Sequence, residues 1–195
     1  MLGSIKYNLS HLLDFTGRDA RQTFWYYVLF VFILNVLVSI GVSVPVIGQA
    51  MSVAMQAAQT NDPTAINEAM AETMAGMVAT TIWATVIMGV VNILLLAAAF
   101  VRRLHDADFA GLWALLVGGL YAGALARSVA RIDDAEAMAR MAIENAMTAP
   151  QVYAANGNAG LDSLIGWVPT LLLIGFGVLK SSEGANRFGE APVRT

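Results

Sequence analysis

The sequence predicts an all-α membrane protein. Four transmembrane helices form two hairpins, both termini lie on the cytoplasmic side, and helices extend beyond the membrane on the outer side. Three observations carry that prediction. First, 57% of the 195 residues are hydrophobic and only 13% are charged, against roughly 45–50% apolar and about 25% charged in soluble domains. Second, apolar stretches recur at about residues 24–46, 78–101, 110–126 and 161–179, each close to the ~20 residues a spanning helix needs. Third, the basic residues are unevenly placed. With four spans, Lys6, Arg18, Arg21, Arg102, Arg103, Lys180, Arg187 and Arg194 share one side, and the other side holds only Arg127, Arg131 and Arg140. The positive-inside rule then places both termini in the cytoplasm.

The elements follow in order. Residues 4–15 put Ile5, Leu9, Leu12 and Leu13 on one helical face, the pattern of a short helix in the membrane interface. Phe15-Thr16-Gly17-Arg18 breaks it. The first span, 24–46, opens on Trp25, Tyr26 and Tyr27, where an aromatic belt belongs. Its length and lead-in mark it as a retained span, not a cleaved signal. Pro45, near its far end, predicts a kink.

Thr60-Asn61-Asp62-Pro63 is the clearest punctuation in the chain. Asp62 suits a helix cap and Pro63 a first helical position. With no breaker before Arg102, a helix over 63–101 would be about 58 Å long, roughly twice the hydrocarbon core. Its first part therefore projects into water with Met70, Met74 and Met77 on one face and Glu68 and Glu72 on another. The third span, 110–126, carries Gly119 and Gly123 in a GxxxG pattern, which lets a second helix approach closely. Outer helical extensions over 47–77 and 127–149 complete a single four-span domain over 1–195. Pro150 and the segment 156–160 end the second extension, and Pro169 bends the last span.

The basic and aromatic blocks are informative when read together. Phe15-Thr16-Gly17-Arg18-Asp19-Ala20-Arg21-Gln22-Thr23-Phe24-Trp25, then Arg102-Arg103-Leu104-His105-Asp106, then Gly184-Ala185-Asn186-Arg187-Phe188-Gly189 resemble, in order and membrane context, three signature blocks of the domain-of-unknown-function family 805. That resemblance covers nearly the whole chain apart from the outer extensions, and the 102–106 block is its most specific part. It implies a small bacterial inner-membrane protein and brings no established activity. Where that family usually has a serine-glycine-tryptophan-tryptophan run, this chain reads Ala110-Gly111-Leu112-Trp113.

Function is far less legible. The net charge of −3 argues against a general nucleic-acid binder, and the absence of cysteine excludes disulfides, thiolate metal sites and cysteine nucleophiles. No cofactor set is visible. His105 beside Asp106 is the only pairing that resembles acid–base equipment, and neighbouring helical residues do not face each other. Arg18, Arg21, Trp25, Arg102, Arg103, His105, Asp106, Asn186 and Arg187 form a candidate cluster, either structural or facing lipid phosphates. On this reading Arg18 and Arg21, three apart, share one helical face beside Trp25, and Arg102 and Arg103 anchor to lipid phosphates from a loop between spans. The spans hold no ionisable residue near their centres, which counts against ion coupling, and Asn35 and Asn92 read as interhelical hydrogen-bond partners. The sequence therefore points to a non-enzymatic structural or accessory subunit of a larger membrane complex, touching lipids and protein partners through its spans and outer helices. The alternatives are a small transporter or channel for an apolar or weakly polar solute, and a sensor of anionic lipid headgroups.

Overall fold

The computed structural model describes residues 1–60, 63–148 and 157–192. Among them the regular structure is entirely helical, in the order α1 (Leu2–Ser10), α2 (Arg21–Thr60), α3 (Pro63–Asp106), α4 (Leu112–Ala130), α5 (Ile132–Thr148) and α6 (Gly157–Val178). Three of these, α2, α3 and α4, are long and apolar enough to cross a membrane, and the apolar part of α6 over Gly166–Val178 is shorter.

The long helices form where the sequence offers no interruption. Helix α3 begins at Pro63, whose missing N–H costs nothing in a first turn. Asp62, the expected cap, lies outside the described residues, as do Pro150 and Asn156. Helix α2 continues through Pro45. In α3 the hydroxyls of Thr73, Thr80, Thr81 and Thr85 each donate to the carbonyl four residues earlier. These bonds satisfy polar atoms that an apolar setting would penalise.

Three boundaries differ from the sequence expectation. Helix α1 ends at Ser10, and the 4–15 helix stops short because the His11 N–H turns to the Tyr7 and Asn8 carbonyls with His11 in a non-helical conformation. Residues 102–106 are the last turn of α3, not part of a loop. Favourable placement of Arg103 and His105 at the carbonyl end of the helix dipole helps to extend it. The turn beyond it is closed by Phe109 N–H donating to the Leu104 carbonyl at 2.9 Å, with Asp108 at φ 62°. Arg131 interrupts the 127–149 extension, which continues as α5.

The chain forms two compact units. The first comprises Met1–Asn35, Met88–Ala124 and Gly160–Thr195, and the second comprises Val36–Ile87 and Leu125–Ala159. The core of the first unit is Phe24, Tyr27, Val31, Ala99, Phe100, Leu104 and Val117. Phe176 of α6 joins it through ring contacts with Phe100, Phe109 and Trp113 at centroid distances of 5.5–6.1 Å. Asn35 and Asn92 exchange reciprocal side-chain hydrogen bonds at 2.9 and 3.0 Å, pinning α2 to α3. In the second unit Ala71, Ala75 and Leu125 are buried, while Met51 and Met55 remain largely exposed.

Outward faces of the apolar helices carry large hydrophobic side chains: Phe32 and Leu37 on α2, Ile87 and Leu94 on α3, Leu115 on α4 and Leu171 on α6 are each more than half exposed. Such surfaces are stable in lipid and costly in water.

Candidate functional site

The site lies in the first unit, where the last turn of α3 meets the N-terminal segment and the chain after α6. Arg102, Arg103 and Asp106 are fully buried, at 0% exposure. A buried guanidinium is tolerated only if its donors find partners and its charge is balanced, and the surrounding segments supply both.

Arg102 is held from the N-terminal side. Its Nε donates to Asp19 Oδ2 at 3.1 Å and its Nη2 to Asn8 Oδ1 at 2.7 Å. Its Nη1 donates to the backbone carbonyls of His11 and Asp14. The Asp19 N–H returns a bond to the Arg102 carbonyl at 3.1 Å, and the Tyr7 ring lies 5.5 Å from the guanidinium carbon. Helix α1 ends early enough for its final carbonyls and the turn after it to face Arg102. Burial pushes the Asp19 carboxyl above its ordinary range, against the opposing pull of Arg102. Asp14, by contrast, is lowered by hydrogen bonds from the Thr16 side chain and backbone.

Arg103 and Arg18 share one carboxylate. Arg103 Nη1 donates to Asp106 Oδ2 at 2.7 Å, and Arg18 Nη2 donates to Asp106 Oδ1 at 3.1 Å. Arg103 also reaches the Gly177 carbonyl at 3.1 Å and the Leu179 carbonyl at the end of α6. Arg18 spends its other donors on the third block: the carbonyls of Gly184 at 2.7 Å, Gly189 at 3.3 Å and Ser182 at 3.0 Å, and the Ser182 hydroxyl at 3.0 Å. Its Nε is the one buried side-chain polar atom among the described residues without a hydrogen-bond partner. Gly184 and Gly189 sit at φ 72° and 134°, a backbone region that strains any residue bearing a Cβ. The glycines of this block thus let the chain curl its carbonyls around Arg18.

Gly177 is the tightest point. A Cβ there would stand 2.9 Å from both Phe24 and Trp25, and its carbonyl accepts from Trp25 Nε1 at 3.2 Å as well as from Arg103.

The candidate residues are therefore placed unequally. Arg18, Arg102, Arg103 and Asp106 enter the buried network. Asn186 closes its edge, donating to the His105 carbonyl at 2.8 Å and to the Ser182 hydroxyl. His105 stacks on Phe188 at 3.9 Å and places Nδ1 3.2 Å from the Gly17 carbonyl, a contact that requires the proton on Nδ1. Asp106 meanwhile faces the two arginines, so the adjacent pair engages different groups. Arg187 is exposed and pairs with Asp108 at 3.3 Å. The expectation that Arg18 and Arg21 share a helical face is corrected: α2 begins at Arg21, so Arg18 precedes the helix and is buried, while Arg21 is exposed. Arg102 and Arg103 likewise do not present themselves to lipid phosphates, because protein groups enclose them. Gly119 and Gly123 stand apart on α4, with nothing within 4 Å of either Cβ position.

Sequence reasoning singled out none of Asn8, Asp19, Gly177 and Ser182. Asp19 carried a signal, an acid between Arg18 and Arg21 in a segment otherwise rich in basic and aromatic residues. The others carried none that is local. Among the described residues, no group of three or more His, Asp or Glu side chains is placed to hold a metal ion.

Apolar helices closed at one end by a buried charge network define the class, an all-helical multi-pass membrane protein. Residues 12–190 match the family described as protein of unknown function (DUF805), and the chain belongs to that family. No curated protein and no solved structure matches it.

Proposed function

We propose that this is a non-enzymatic integral protein of the bacterial inner membrane, acting as a structural or accessory subunit of a larger membrane assembly. In this reading α6 is the fourth span, the spans form two hairpins, and both termini are cytoplasmic. One observation carries the proposal: the buried arginines Arg18, Arg102 and Arg103 direct their hydrogen bonds to groups of this same chain. A catalytic or headgroup-binding centre keeps donors free for its ligand. This network uses them to hold α3 to the N-terminal segment and to the chain after α6, which is the work of a fold lock. The chain then acts through surfaces such as the Gly119 and Gly123 face of α4, left open for a neighbouring span.

Purification from native membranes in mild detergent tests this. The expected result is a complex of defined stoichiometry, lost in the Gly119→Leu, Gly123→Leu double variant while that variant still folds. A lone monomer in both cases contradicts the proposal, and solute flux in proteoliposomes would replace it with the transporter reading.

A further inference from the structure

Helix α1 presents an arrangement opposite to an ordinary surface helix. Its buried residues are polar, Ser4 and Asn8, and apolar side chains stand among its exposed ones. Leu2 is 81% exposed, and Leu13, just past the helix end, is 86% exposed. Leu2, Lys6 and Leu9 follow at helical spacing on the outward side, all exposed. The polar face is accounted for: Asn8 donates to the Ser4 carbonyl at 2.9 Å and accepts from Arg102. Among the described residues, nothing covers most of the Leu2 and Leu13 side chains.

Its place in the fold says what covers it. The Arg102 bonds to Asn8, His11 and Asp14 tie α1 and the turn after it to the last turn of α3, where a membrane-crossing helix ends. The Asp19 link to Arg102 brings the start of α2, another such helix, to the same place. Helix α1 therefore lies at the level where the apolar bands of α2 and α3 stop. That level is the boundary between acyl chains and headgroups, where amphipathic helices rest with leucines inward and lysines reaching the phosphates.

We propose that α1 is a membrane-surface helix, with Leu2, Leu9 and Leu13 seated in the lipid interface, Lys6 at the phosphate level, and its inner face latched by Arg102. The occupant of the apolar face is lipid, not a second protein. The inference needs only the membrane setting and is independent of the accessory-subunit reading.

The chain has no cysteine, so single cysteines report cleanly. Leu2→Cys, Leu9→Cys and Leu13→Cys would carry a nitroxide label in vesicles of phosphatidylethanolamine and phosphatidylglycerol. Glu183→Cys, at an exposed position, is the water reference. The expected ratio of oxygen to nickel-chelate accessibility is several-fold higher at the three leucine positions than at 183. Water-like ratios there overturn the proposal, and so does protection from both reagents, which would mean a protein cover. Leu2 and Leu13 are exposed enough that substitution leaves the fold intact. With Asn8→Ala added, the label at position 9 should gain mobility while keeping its lipid contact; unchanged mobility overturns the latch.

Discussion

Asp106 is the residue on which two buried guanidinium groups depend, since Arg18 and Arg103 bind separate oxygens of its carboxylate. Asp106→Asn keeps the shape but leaves both cations without a counter-charge, and breaking a buried pair costs about 3–5 kcal/mol. Equilibrium unfolding in mixed micelles should show that loss. Gly177 makes a different demand, one of space. Gly177→Ala drives a Cβ into Phe24 and Trp25, and overpacking of this kind costs roughly 1–3 kcal/mol. A thermal melt in detergent should fall accordingly, whereas Gly166→Ala, with nothing near its Cβ, should leave the melt nearly unchanged. Neither residue was legible as a partner in the sequence. Asp106 stood out as a carboxylate beside His105, not as the partner of two arginines, and Gly177 looked like one small residue among several in an apolar span.

At the scale of elements, the long helices were legible because their cause is local. The punctuation at residues 60–63 and the lack of any breaker up to Arg102 describe α3 almost to its ends. Helix α1 was legible as a helix but not in its extent. Counting Leu12 and Leu13 into its face assumed a helix to residue 15, and the chain leaves the helix at Ser10 to reach Arg102. The pairing of α2 with α3 through Asn35 and Asn92 was readable, because an isolated amide in an apolar span needs a partner. Asn35→Leu or Asn92→Leu alone should cost about 0.6 kcal/mol, and at most about 1.7. The double variant should cost less than the sum, since no amide is then left unpaired. A double-mutant cycle measured by unfolding checks this.

For the whole molecule, hydropathy revealed the membrane class, and charge asymmetry suggested that the three blocks gather at one end. The closure of those blocks was not legible. Asn8, Asp19, Ser182 and the carbonyls of Gly184 and Gly189 become partners only after the chain has folded, and no spacing rule marks them. A row of arginines in sequence reads as a topology signal or a phosphate site; with its donors taken by the chain itself, it reads as a lock that fixes how the helix ends meet. The most direct test is Arg102→Ala, comparing thermal stability in detergent with binding to phosphatidylglycerol vesicles. The lock predicts a loss of about 3–5 kcal/mol, lowering Tm by roughly 10 °C, with lipid binding of the surviving folded protein unchanged. A variant that keeps the parent Tm and loses vesicle binding would contradict it and make the cluster a lipid site.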